Sequence, residues 1–216
     1  MDGAHVTADT NWRPEHARLA ASGLETYLSD QYGARPVVQR IKVTVNRWPD
    51  PPSRTLTTGP VDRNRIGSSR DFVRNQPYQG WARSIYEAVS FDAYSTEFRL
   101  AEILDSDPNI KAWTRIDNNV PLRIAYKDGT QHRAYMPDFL AITTDDVHWI
   151  IEGKADDEMA SEIVLAKRDA TRTWLASVNS SLVVPDRWAY ILASETVIKN
   201  VSGSWDALLN AAQIIR

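Results

Sequence analysis

Two runs joined by a polar turn decide how this chain folds: Met136-Pro137-Asp138-Phe139-Leu140-Ala141 and Val147-His148-Trp149-Ile150-Ile151-Glu152-Gly153-Lys154, with Thr143-Thr144-Asp145-Asp146 between them. Val147 to Ile151 is nearly all apolar, as expected of a central strand buried on both faces. If the turn centres on Asp145, hairpin partners have residue numbers summing to about 290. Asp138 and Glu152 then face each other across the pair, with Cβ atoms ~5 Å apart. Like charges so placed repel unless a cation lies between them. Two carboxylates with further oxygen ligands suit Mg²⁺. Lys154 lies two residues beyond Glu152 and so points to the same side of the strand.

Working outward, the spacing predicts a helix over residues 84–105, closed by Asp107-Pro108. Ala93, Glu97, Leu100 and Leu104 share one face of it, and Glu97 is the only charge in that apolar row. A second helix is predicted over 157–177, where Ile163, Lys167, Ala170 and Trp174 form a stripe, again with one charge. A glutamate or lysine in a core-facing row requires a partner, and the Asp138/Glu152 pair is the nearest one the pattern offers. Lys167 is thus placed to pair with a site acid or to contact phosphate. Short strands are read at 112–117 and 121–126, then an Asp128-Gly129 turn, a return over 133–141, a strand at 188–193 and a final helix over 204–214. The order of helix, antiparallel strands, helix, strand and helix gives an α/β layered domain over 84–216.

Residues 1–83 read as an N-terminal extension: a helix near Pro14 to Leu28, a strand over 36–48, and an aperiodic loop rich in proline and glycine over 49–80. Residues 35–83 hold ten Lys/Arg and three acids, whereas residues 91–216 hold 13 basic and 19 acidic side chains. A basic segment beside an acidic body suits a polyanion, and Trp48, Phe72, Tyr78 and Trp81 are interleaved to grip a backbone or an exposed base. Charge alone fits a solvated basic surface equally well. The absence of cysteine excludes disulfides and cysteine metal sites. No apolar run reaches the ~20 residues of a membrane helix, and the first residues lack the pattern of a signal peptide. The expectation is a soluble, cytoplasmic protein. No GxxxxGK[ST] motif occurs, so this chain is not read as an NTPase. His132 and His148 lack metal-ligand spacing and are read as surface or core residues. Asp156-Asp157-Glu158 is read as the solvated acidic start of a helix.

Taken in order, Glu97, Met136-Pro137-Asp138-Phe139, Ile150-Ile151-Glu152-Gly153-Lys154 and the Lys167, Ala170, Trp174 set resemble the PD-(D/E)xK nucleases. The run is most similar to the endonuclease domain that ends the restriction subunits of type III restriction enzymes, over roughly residues 85–193. The resemblance implies a restriction-endonuclease-like mixed sheet flanked by helices, carrying an N-terminal basic extension. It implies Mg²⁺ or Mn²⁺ held by Glu97, Asp138, Glu152 and the Gly153 carbonyl, with Lys154 serving the attacking water or the phosphate. It implies hydrolysis of DNA in restriction or phage defence. Such domains follow a helicase in the same subunit, so the resemblance leaves three arrangements open: a stand-alone nuclease, a fragment of a larger subunit, or a split subunit whose helicase/ATPase partner is supplied by another chain.

Two other readings stay open. One is a non-catalytic DNA-binding or protein-interaction module on the same fold. The other is a hydrolase acting on RNA or another phosphate ester.

Overall fold

The computed structural model describes residues 58–216, apart from Asn119 and Pro121. A small sheet comes first, from β1 (Val61–Asp62), β2 (Pro77–Gln79) and β3 (Ala88–Ser90). A π-helical turn, Tyr94–Phe98, feeds directly into α1 (Arg99–Ser106). There follow β4 (Ile110–Arg115), a separate hairpin of β5 (Ile124–Asp128) and β6 (Gln131–Tyr135), then β7 (Phe139–Thr143) and β8 (Val147–Lys154). Helix α2 (Glu162–Asn179) leads to β9 (Arg187–Ser194), α3 (Glu195–Asn200), α4 (Trp205–Ala211) and β10 (Gln213–Ile215). The main sheet has the order β10-β9-β8-β7-β4 and is mixed: β8 and β9 run parallel, the other pairs antiparallel. The chain is therefore of mixed α/β class. No helix among the described residues is long and apolar enough to cross a membrane.

The β7–β8 register is the one the turn dictates. Phe139 pairs with Ile151, Leu140 with Ile150 and Ile142 with His148. Asp146 takes φ +59° to close the turn. The Asp128-Gly129 signal also holds: Gly129 has φ +58° between paired Asp128 and Gln131. The 133–141 return is two strands in two sheets, broken at Pro137-Asp138, because Pro137 supplies no amide to a ladder.

Elsewhere the elements differ from the expected ones. The 84–105 helix begins ten residues later, since Tyr86, Ala88, Val89 and Phe91 are buried in and around strand β3 instead. Within the turn the Phe98 amide bonds the Ala93 carbonyl at 3.0 Å, a five-residue reach that widens the helix where Glu97 sits. The last helix stops at Ala211 and the chain returns as edge strand β10. Helix α3 was missed; Ser194 both ends β9 and caps it through the Val197 amide at 3.3 Å. The helix and strand expected over 14–28 and 36–48 lie outside the described residues.

One face of the main sheet is sealed by an aromatic cluster. Tyr78 stacks on Phe72 at 5.6 Å and meets Phe98 edge-on at 5.3 Å; Trp81 meets Trp113 at 5.3 Å, and Trp113 meets Phe139 at 5.9 Å. Each such pair contributes about 0.5–1.5 kcal/mol beyond the area it buries. This corrects the expectation that Phe72, Tyr78 and Trp81 grip nucleic acid, because their rings are committed to the core. Trp48 lies outside the described residues. Arg63 is likewise turned inward: it bonds buried Asp105 at 2.9 Å and covers the Trp81 ring at 4.7 Å. Asp105 also accepts from the Ala82 and Arg83 amides at 3.0 and 2.8 Å and from the Trp113 indole at 3.0 Å, so this buried acid is structural.

Candidate functional site

The site lies where β7 begins and β8 ends. Asp138 stands just before β7, one step beyond the last paired residues, and the register carries it opposite Glu152. Its Oδ2 accepts the Gly153 amide at 2.8 Å, and its carbonyl accepts the Ile116 amide at 2.9 Å. Glu152, only 2% exposed, is held at both oxygens: Lys154 Nζ lies 3.0 Å from Oε1, and the Tyr190 hydroxyl donates to Oε2 at 3.1 Å. Tyr190 comes from β9, in register with Ile150, the neighbour of Glu152 on its face.

Electrostatics follow from this crowding. Burial pushes the Asp138 carboxyl up to about 7; Lys154 opposes the rise, while Glu152 and Glu97 add to it. Burial by itself would lower the Lys154 pKa, but Asp138 and Glu152 outweigh it and hold the side chain as an ammonium. Burial and the Glu152 charge both push the Tyr190 and Tyr135 phenols up, so each stays neutral and available as a donor.

Gly153 explains how close the π-helical turn comes. A Cβ at this position would lie 3.0 Å from Leu100 Cδ1, 3.1 Å from Thr96 Cβ and 3.3 Å from Ile198 Cδ1. Even a methyl group there would require Thr96, Leu100 and Ile198 to shift by a few tenths of an ångström, so the close approach of the turn that carries Glu97 depends on glycine. Strand alternation puts Gly153 on the side of that turn and Glu152 and Lys154 on the other.

Glu97 therefore arrives from the opposite side of the sheet, and its carboxylate is already engaged. Its Oε2 accepts from Arg115 Nε at 3.1 Å, Arg115 Nη2 at 2.9 Å and the Asp92 amide at 2.8 Å. Arg115 Nη2 also pairs with Asp92 at 2.8 Å. Asp138, Glu152 and Lys154 thus come together as the spacing predicts, and Glu97 reaches Asp138 by its field but is bound to Arg115. Among the described residues no three His, Asp or Glu side chains are gathered as a metal cage. The carboxylates of Asp138 and Glu152 nevertheless fit a cation: both are sheltered, and burial, with a smaller contribution from Glu152, drives Asp138 toward protonation.

Lys167 is placed elsewhere. Its Nζ sits 5.2 Å from the Tyr135 ring centre and 5.7 Å from that of Tyr126, a cation–π position against the hairpin. Tyr135 in turn shares a hydrogen bond with Thr171 one helical turn on. The expected pairing of Lys167 with a site acid is replaced by this contact; Trp174, from the same stripe, meets Trp188 edge-on at 5.4 Å. Of the other side chains read from the sequence, His132 is exposed and His148 half-buried, stacked on Trp188 at 4.8 Å. Asp156 is exposed and ties α3 down through the Thr196 hydroxyl at 2.6 Å.

Sequence reasoning missed Tyr190, Arg115 and Asp92. Tyr190 had a signal, since a tyrosine inside the apolar run Ala189-Tyr190-Ile191-Leu192-Ala193 needs a buried acceptor for its hydroxyl. Arg115 and Asp92 had none, because each sits at an element end where charge is ordinary. No protein-family profile, curated protein sequence or solved structure matches the chain.

Proposed function

We propose that the chain is a metal-dependent nuclease of the PD-(D/E)xK class that hydrolyses DNA phosphodiesters. The observation that carries the reading is the cluster itself: Asp138 and Glu152 in opposed register, with Lys154 Nζ 3.0 Å from Glu152 at a buried strand end. A buried and a half-buried acid brought face to face are costly without compensating positive charge, which Lys154 supplies in part and a bound cation would complete. Helices on a mixed sheet are compatible with the restriction-endonuclease-like architecture that this class implies.

Asp138 and Glu152 would hold Mg²⁺ or Mn²⁺, completed by Glu97 and the Gly153 carbonyl. When bound, the ion polarises a phosphate oxygen and lowers the pKa of a water. Tyr190 and Lys154 fix the Glu152 carboxylate from both sides, so its orientation precedes ligand entry. The Lys154 ammonium provides a donor and a positive charge beside the scissile phosphate, where negative charge builds. A role in restriction or phage defence, in company with a helicase/ATPase, rests on the order of the motifs alone.

Nicking of a supercoiled plasmid with Mg²⁺ tests the proposal, using the wild type and Asp138→Ala, Glu152→Ala and Lys154→Ala. Cutting by the wild type and by none of the variants supports it. DNA binding by all four without cutting would support a binding module instead, the reading favoured by the engagement of Glu97 with Arg115. Parallel assays on single-stranded DNA and RNA separate DNA from other phosphate esters.

A further inference from the structure

We propose that the outward face of the β5–β6 hairpin is the surface that receives duplex DNA; the identity of the polyanion rests on the nuclease reading above. The hairpin is a two-stranded sheet of its own, and such a ribbon is marginal unless one side packs on something. Its inner side does so: Ile124, Tyr126 and Tyr135 are buried, Lys167 of α2 covers both tyrosine rings, and Tyr135 bonds Thr171. The outer side is bare. Ala125 pairs with Ala134 and Lys127 with His132, and all four are exposed. By alternation Arg123, also exposed, continues that side toward Met136.

The charges divide between the two sides. The one acid of the hairpin, Asp128, is bound by Arg133 at 3.1 Å, and both belong to the inner set by register. Arg123 and Lys127 are in no ion pair among the described residues. Unopposed cations separated by alanines leave a surface that attracts a polyanion and lets its backbone come close. Four residues of strand set the two cations roughly 13 Å apart, and duplex DNA presents a charge every ~1.7 Å of its axis. A two-stranded ribbon also fits the major groove.

Position supplies the second argument. The chain passes from Tyr135, the last residue of β6, to Asp138 in three residues, so the hairpin and the site are immediate neighbours along the chain. That site sets four acids (Asp92, Glu97, Asp138, Glu152) against two cations, Arg115 and Lys154, and the excess negative charge disfavours a phosphodiester approaching unaided. The rings of Phe72, Tyr78 and Trp81 are packed in the core, and among the described residues the hairpin presents a cationic face next to Asp138 along the chain.

The test is duplex affinity of the full chain in EDTA, so that no cutting intervenes, over a range of salt. Arg123→Ala/Lys127→Ala should weaken binding of a ~20-base-pair duplex about tenfold and reduce the salt slope by about two. Arg123→Lys/Lys127→Arg should retain binding. A charge-matched control on β9 and α3, Arg187→Ala/Lys199→Ala, should leave affinity unchanged; both residues are exposed. Unchanged affinity and slope in the hairpin variant would overturn the proposal. So would an equal loss in the control, or a wild type without duplex affinity. A wild type that binds through the hairpin but never cuts with Mg²⁺ upholds this surface and sinks the nuclease reading; a wild type that cuts while the hairpin variant binds normally does the reverse.

Discussion

Tyr190 donates its hydroxyl to Glu152 Oε2 at 3.1 Å, across the parallel β8–β9 pair, while Lys154 holds the other oxygen. A carboxylate pinned at both oxygens cannot rotate away from a ligand, and the phenol never competes for the proton because burial and Glu152 push its pKa up. Tyr190→Phe removes one hydroxyl and keeps the ring that fills the core. The expected outcome is an unchanged circular dichroism spectrum with a ten- to hundredfold loss in metal affinity or nicking rate, the usual cost of removing an outer partner of a ligand. Isothermal titration with Mn²⁺ checks it. An unaltered affinity would show that Glu152 needs no such anchor.

The pH dependence of stability follows from Asp138. Its folded pKa of about 7 is raised above the ordinary carboxylate value, so the fold favours the protonated form. Its contribution is present in full below the ordinary carboxylate range and is lost as pH rises through about 7. The metal-free wild type should therefore melt at lower temperature at pH 8 than at pH 5, beyond what other groups cause. Asp138→Asn should flatten that slope and melt higher than wild type at pH 8 in EDTA, by roughly 2–4 °C for each kcal/mol relieved. Mg²⁺ should stabilise the wild type at pH 8 and not the variant. Identical pH profiles for the two proteins would refute the assignment.

How much of this was legible in the sequence depends on range. The β7–β8 pairing was readable because a short polar turn fixes the register, and the register then placed Asp138 against Glu152 and Lys154. Central strand β8 and strand β9 were readable from their apolar runs. The 84–105 helix was misread because Tyr86, Ala88, Val89 and Phe91 are apolar for a sheet, and helical and strand periods overlap over so few residues. Glu97 was singled out as a charge in an apolar helical row, but that row is interrupted by the π-helical turn, with Ala93 extended ahead of it. Its partner Arg115 is 18 residues away and is chosen by tertiary packing, which no local period encodes. Lys167 was singled out by the same logic, and its aromatic partners could not be named without knowing that the hairpin packs on α2.

Gly153 couples the two halves of the site. Alanine there would meet Thr96 Cβ at 3.1 Å and Leu100 Cδ1 at 3.0 Å, both in or beside the π-helical turn. Overpacking of this kind costs about 1–3 kcal/mol. Gly153→Ala should lower the melting temperature by several degrees and weaken metal binding, by moving Glu97 away from Asp138. The second variant Gly153→Ala/Leu100→Ala opens space on one side and should recover part of the binding without recovering all the stability. Wild-type melting and affinity in Gly153→Ala would mean that the close approach is not needed.

Glu97 poses the last question, because a metal ligand cannot also stay fully bound to a guanidinium. Arg115 contacts Glu97 Oε2 through two nitrogens, at 2.9 and 3.1 Å, and the Asp92 amide holds the same oxygen at 2.8 Å. The positive charge of Arg115 opposes a cation at Asp138 and Glu152, and it occupies the carboxylate such a cation would use. Removing it should favour the cation, while the Asp92 amide continues to orient the carboxylate. Arg115→Ala is expected to lower the half-saturating Mn²⁺ concentration several-fold, since an opposed charge at this range contributes on the order of 1 kcal/mol at the effective dielectric of a partly open site. Glu97→Gln should shift it the other way. Should Arg115→Ala weaken Mn²⁺ binding as much as Glu97→Gln does, Arg115 is a support that positions Glu97 rather than a competitor that restrains it.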